Sequence, residues 1–258
     1  MNLQLAVALF ALYVAGVLGA SMIFHRMIAH RAFKLRSPLK EIMVIISLPA
    51  GTPIQWAGNH RQHHRATDTA EDPHSPYFGG FWHAHCGWYL ESPSTLRAVL
   101  YAFAGPLRTL FDAWHRPRSN QQHVQYARDI SDDRFMNWVS QAHVYGALMI
   151  AQVLLMLLFF GYFWGTAGLV AYYLGMIVVY NLGDSIDSFA HLFGARNPNS
   201  PNQARNSMLM AIICGGEGWH ANHHEKPATS KIGRGFQIDP VWYFIWILQK
   251  LNLAYEVK

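Results

Sequence analysis

Residues 3–30, LQLAVALFALYVAGVLGASMIFHRMIAH, decide how this chain is read. The stretch 3–24 carries no charge. At about 1.5 Å per residue it extends about 33 Å, enough for a hydrocarbon core of about 30 Å. A secretory signal is disfavoured: no basic residue precedes the run, which leads into His25 and His30 instead of a small-residue cleavage site. The stretch predicts a transmembrane helix with imidazoles at its inner end.

The rest of the chain fits that start. It is 52% hydrophobic and 14% charged, against about 25% charged in soluble domains. Disorder, collagen and a disulfide scaffold are excluded. Cys86 and Cys214 read as two buried thiols. The 20 Lys and Arg avoid residues 1–25 and 135–195 entirely. By the positive-inside rule, 26–134 and 196–258 then form a cytoplasmic head. Two further spans are expected at 141–163 and 166–186, hinged at Gly165-Thr166-Ala167-Gly168. Residues 39–57, apolar but broken by Pro49, Gly51 and Pro53, read as an interfacial or re-entrant segment. Residues 96–113 and 239–253 have amphipathic spacing. There are no repeats. The expected fold is one all-α integral membrane domain, 1–258, with three or four transmembrane helices and a cytoplasmic helical cap holding the histidines.

Nine of the 15 histidines are grouped: His25 and His30 in HRMIAH, His60, His63 and His64 in HRQHH, His220, His223 and His224 in HANHH, and His191 ending the last span. On a helix, imidazoles three or four residues apart share a face, as a metal requires. The H-x2-HH pattern occurs twice, each time beside a membrane segment. Structural zinc takes four ligands, often with Cys, and neither cysteine lies in a box. Haem would need axial histidines inside the spans. Eight or nine imidazoles suit two ions, and nitrogen-rich redox sites open to oxygen point to iron.

The three boxes in order, with DPHSPYFGGFWHAHCGW (72–88) and the closing IWILQKLNLAYEVK, resemble the integral-membrane fatty acid desaturases, in particular the stearoyl-CoA-type Δ9 branch. The resemblance runs from about residue 5 to 258. It implies an oxidoreductase of lipid metabolism that uses O2 and two electrons to insert a cis double bond into a saturated acyl chain. It also implies a nine-histidine di-iron centre and a separate ferredoxin or cytochrome b5 as donor. Zinc found in such a site of overexpressed protein would be a substitute for iron. The family's ninth histidine carries over to His191 in DSFAH. Where the family usually has Asn, linked to one iron through water, this chain has Asp187, which either binds iron directly or orients a histidine. Asp184, Asp187 and His191 fall on one helix face. Leu9, Tyr13 and Trp56 are expected along the acyl tunnel, Tyr13 shortening it; a packing role for Tyr13 is the other reading. His74 and His85 are expected beside the site without binding metal, and His83, His115, His123 and His143 in surface or packing roles.

Three departures from the family pattern stand out. The family's usual first span is missing, giving three spans instead of four. CoA-using members carry Arg-Asp before the second box and a basic pair after GW, where this chain has Gly58-Asn59 and Glu91-Ser92. A lipid- or carrier-protein-bound acyl chain therefore stands beside acyl-CoA as substrate. No donor domain is fused, and an acidic donor would suit the basic head. Two alternatives remain: a hydroxylase or acetylenase on the same di-iron scaffold, and a histidine-rich membrane metal-binding protein. The latter would place ionisable ligands along a path through the spans, whereas here they gather at one end. Nothing in the sequence points to nucleic acid.

Overall fold

The computed structural model describes residues 2–90 and 94–258, and these are mostly helical. The Glu91-Ser92 departure lies outside the described residues. The first helix, α1 (Leu3–Ala29), starts where Asn2 accepts the Leu5 N–H at 2.8 Å. It is α-helical over Leu3–Val17 and winds as a π-helix over Leu18–Ala29. The apolar run thus continues as helix beyond residue 24, through the first histidine.

Residues 39–57 do not form one segment. Helix α2 (Leu39–Ser47) ends in a 3-10 turn, Leu48–Ala50. Gly51, at φ 142°, breaks the chain. Helix α3 (Pro53–Ala66) then begins, with Thr52 accepting from the Gln55 N–H and Pro53 in its first turn. The amphipathic stretch 96–113 is likewise divided by Gly105 into α4 (Thr95–Ala102) and α5 (Pro106–His115).

Helix α6 (Ala142–Leu192) is two arms, broken at Gly165 (φ 57°, ψ −143°), a conformation suited to glycine. The expected hinge is there, and the second arm runs on past residue 186 to the ninth histidine. The stacked rings of Phe160 and Tyr172, 5.3 Å apart, join the arms near the hinge. Helices α7 (Met208–Ile213), α8 (His220–Glu225) and α9 (Pro240–Lys250) complete the head.

Helix α1 and the second arm of α6 run parallel and in step: Leu12 lies against Gly175, and Gly16 against Val179. His25 and His191 therefore emerge at the same end. The core under the head includes Phe24, Ile28, Leu48, Val139, Tyr145 and Ile245; a second core lies towards the hinge around Leu5, Phe160, Tyr172 and Met176. Cys86 and Cys214 are buried free thiols. The chain's end is tied back by antiparallel pairing of Lys34 with Tyr255 and Leu35 with Ala254.

Candidate metal centre

Helical geometry sorts the histidines. Successive α-helical residues turn by about 100°, which would leave His25 and His30 about 140° apart. The π-helix corrects this. The His30 N–H donates to the His25 carbonyl at 3.1 Å, an i to i+5 bond, and both rings reach one point. On α3, His60 and His64 are four apart and share a face, whereas His63 is turned about 100° from His64. On α8, His220 and His224 share a face and His223 is turned away in the same manner.

Two groups result. His25, His30, His60, His64 and His223 form one; His63, His191, His220 and His224 form the other. Each group takes two residues from one H-x2-HH box and one from the other.

All nine present Nε2 inward. In the five-histidine group His25 is 3.0 Å from His223, His30 2.8 Å from His60, and His64 3.1 Å from His60 and 2.9 Å from His223. In the four-histidine group His191 is 2.9 Å from His220, and His224 lies 3.1 Å from His220 and 3.3 Å from His63. Imidazole nitrogens bind divalent metals at about 2.1 Å, so neighbours 90° apart on one ion are about 3.0 Å from each other. The spacing fits one ion per group.

Carboxylates orient the rings from behind. His25 Nδ1 lies 2.7 Å from Glu217 Oε2, His63 Nδ1 2.9 Å from Asp72 Oδ1, and His191 Nδ1 3.2 Å from Asp68 Oδ2. A proton held on Nδ1 leaves Nε2 free as a ligand. Glu217 is itself fixed by Ser21 and by Arg26 Nε and Nη2, both at 3.1 Å. Arg26 also bonds Asp239 (2.9 and 3.0 Å), the Ser230 carbonyl (2.8 Å) and the Gly215 carbonyl (3.2 Å). This buried guanidinium ties α1 to the segment carrying the third box. Burial opposes ionisation of Glu217, but His25 and Arg26 outweigh it and hold the carboxyl down to about 2.

Seven of the histidines are kept neutral, the form a metal binds. Burial first, then neighbouring imidazoles, lowers His30, His60, His63, His220, His223 and His224 well below the ordinary value, and His64 to about 3.

The other expected site residues lie as follows. Asp187 belongs to neither group: it lines a cavity below them. Asp184, on the same face, pairs with Arg108, Oδ1 to Nη2 being 3.0 Å. Trp56 lines the cavity and stacks on His60, centroids 4.9 Å apart. Tyr13 lines it too, its hydroxyl donating to the Ile213 carbonyl at 2.8 Å. Leu9 does not line it; its side chain packs against Gly175 on α6. His74 stacks on His63, centroids 4.2 Å apart, and burial pushes it down to about 4. His85 bonds Ser188 and Asn181, both at 2.9 Å, pinning the segment after the second box to α6.

Sequence reasoning missed Arg26, Asp68, Glu217 and Asp239, and left Asp72 without a role. The available signal was an acidic residue within eight positions of each H-x2-HH box.

The cavity holds about 670 Å³, within the usual range for small-molecule sites. It runs from His25, His60 and His220 down to Ala8, Phe160 and Tyr172. Seventeen residues of α1 separate its ends, up to about 25 Å.

The sequence profile described as fatty acid desaturase matches residues 3–231. An acyl-CoA C20 Delta5-desaturase of Anemone leveillei is 32% identical over 257 residues, covering 96% of this chain and 72% of the relative. An sn-1 stearoyl-lipid 9-desaturase of Anabaena variabilis is 29% identical over 255 residues, covering 98% and 83%. A hex-5-enoyl-[acyl-carrier protein] acetylenase of Moorena producens is 30% identical over 268 residues, covering 97% and 75%.

Proposed function

The chain belongs to the fatty acid desaturase family and is an acyl desaturase oxidoreductase; we propose that it inserts a cis, Δ9-like double bond into a saturated acyl chain held in the cavity. The observation that carries this reading is the convergence of nine Nε2 atoms in two groups at one end of a deep apolar cavity. We assign His25, His30, His60, His64 and His223 to one iron and His63, His191, His220 and His224 to the other. Bound there, two iron ions would supply the redox chemistry and O2 reduction that removal of hydrogen from an unactivated CH2–CH2 pair demands.

The protein's own share is positioning and exclusion of water. Trp56, stacked on His60, forms the wall where chain and histidines meet. Tyr13 narrows the cavity, and the Phe160–Tyr172 stack lies at its far end, so these residues set how far a chain passes the histidines. Electrons come from a separate ferredoxin or cytochrome b5. Asp187, which lines the cavity and stands outside both histidine groups, would orient a histidine or bind one metal.

The proposed architecture is one domain with three spans, α1 and the two arms of α6, and a cytoplasmic head. Support comes from the long apolar faces of α1 and α6. Only 28% and 22% of their most apolar windows are buried, whereas a soluble core helix would be mostly buried.

The test is expression in a host together with a ferredoxin and its reductase, with the product's double bond located by mass spectrometry and His63→Ala as control. A new monounsaturated acid absent from the control is expected. The Moorena relative motivates a second reading, and a triple-bonded or hydroxylated product would move the enzyme there. No product from protein holding two irons would refute the substrate assignment.

A further inference from the structure

The cavity lining divides by exposure. Its polar members at the head, His25, Asn59, His60, His74, Glu217 and His220, are all buried. Among the described lining residues, the exposed ones are Ala11, Ala15, Ile46, Leu155, Phe159 and Gly183, and none has a polar side chain.

Five of these six form one slit. Ala11 and Ala15 are a turn apart on α1, Leu155 and Phe159 a turn apart on the first arm of α6, and Ile46 closes the end nearer the head. Levels along the slit follow from contacts. Ser47 packs on Gly19, and Gln152 donates to the Ile45 carbonyl at 2.8 Å. The slit therefore spans the stretch of α1 from about Gly19 to Ala11, roughly 12 Å at about 1.5 Å per residue. Helix α1 is packed against the second arm of α6 through Leu12 and Gly16, and Ala11 and Ala15 line the cavity while remaining exposed.

Among the described lining residues, the cavity offers no free cation to an anionic carrier. A side chain at Gly58 would meet His123, whose Cβ and carbonyl oxygen both lie 2.6 Å from the position a Cβ would take. The fixed cation among the described lining residues, Arg108, is committed to Asp184. Carrier phosphates would find no free counter-charge there.

We propose that the substrate is an acyl chain esterified in a bilayer glycerolipid, which enters sideways through the slit between α1, α2 and the first arm of α6 while its headgroup stays outside. The proposal rests on the reading of the cavity as the acyl site. An apolar slit at membrane depth exchanges chain–lipid contacts for chain–protein contacts with no polar group to desolvate. An extended acyl chain lying along the slit needs no large opening of the helices.

The experiment uses the full chain in lipid nanodiscs with three photoreactive probes carrying the same diazirine-bearing acyl chain. One is a diacyl phosphatidylcholine, one an acyl-CoA and one an acyl-carrier protein. Labelling needs no turnover, and mass spectrometry locates the adducts. The phosphatidylcholine probe is expected to label Met156 and Met176, which line the cavity. Ala15→Trp, and independently Ile46→Trp on another element, should reduce that labelling at least about tenfold, a loss of about 1.4 kcal/mol in chain entry. Metal content of each variant serves as the check on folding. Stronger cavity labelling by the CoA or carrier-protein probe, or labelling unchanged in both tryptophan variants, overturns side entry from lipid and leaves the desaturase reading standing. Absence of cavity labelling by all three probes in metal-loaded protein removes the acyl-site reading and the entry route together.

Discussion

Glu217→Gln tests how the five-histidine group is held. Glu217 Oε1 accepts from Ser21 and twice from Arg26, and Oε2 faces His25 Nδ1 at 2.7 Å. The amide keeps a carbonyl oxygen, which stays with Arg26 and Ser21 because only an oxygen can accept there. Its NH2 then takes the Oε2 position and points at His25 Nδ1. The ring must accept at Nδ1, so its proton moves to Nε2 and the inward lone pair is lost. Loss of a carboxylate behind a ligating histidine lowers metal affinity about 10–100-fold, about 1.4–2.7 kcal/mol. Replacing charged by neutral hydrogen bonds at three or four contacts also removes about 2–4 kcal/mol of stability. Asp72→Asn applies the same change to His63 and the other group. Iron per protein, measured after graded chelation, should fall from two towards one in each variant, with different spectroscopic signatures for the iron that remains. Equal loss of both irons in either variant, or retention of both at unchanged chelator midpoints, would refute this account of ligand orientation.

Arg26→Ala leaves Glu217 and Asp239 buried without their shared cation, and a loss of about 3–5 kcal/mol is expected; thermal denaturation should show it, with little rescue by Lys, which cannot reproduce the fork. Tyr13→Ala enlarges the cavity and should shift preference to longer acyl chains, whereas Leu9→Ala, acting at a residue packed on Gly175, should not; product profiles with mixed chain lengths decide. In metal-free protein His30, His60, His63, His220, His223 and His224 stay neutral when folded, as do His64, held to about 3, and His74, to about 4. The unfolded chain takes up protons below about 6.5. Stability is therefore undiminished above that pH and is lost as pH falls, by up to about 1.4 kcal/mol per pH unit for each group. A flat melting temperature between pH 7.5 and 5 would contradict it.

The identity of the clustered residues was legible because their chemistry is unusual: uncharged runs, a charge layout with two gaps, and imidazoles in repeated spacing. What was not legible depends on helix phase and on contacts distant in sequence. Spacing within HRQHH shows that two imidazoles share a face, but which pair does so depends on what faces α3 across the centre. Leu9 and Tyr13 were both expected along the tunnel, since position along the span does not show which side of α1 meets α6. Asp184 and Asp187 look alike in sequence; Arg108, 76 positions before Asp184, pairs with one and not the other. Residues 39–57 read as one apolar segment because Gly51 announces a break without saying that a capped helix starts two residues later.

The three boxes have different spacings for a reason that appears only when both groups are seen together. A straight α-helix passing between two metal positions can serve both if it carries His at i and i+4 for one and at i+3 for the other, and H-x2-HH supplies this. Helices α3 and α8 do so in opposite senses, so the third imidazole that one lacks for a given group comes from the other. This exchange gives three nitrogens to each group. Helix α1 ends at the five-histidine group and faces it alone, so its two histidines must share one direction. An interval of five does that only on a π-helix, and the Arg26 clamp, one residue after His25, ties that turn to the segment carrying the third box. His191, from the end of α6, then completes the other group as its fourth nitrogen. The uneven split of five and four follows from α1 giving two ligands to one side and α6 one to the other. It predicts that the four-histidine position is the more open of the two, and that small exogenous ligands such as azide should perturb the spectrum of the iron lost in Asp72→Asn more than that of the iron lost in Glu217→Gln.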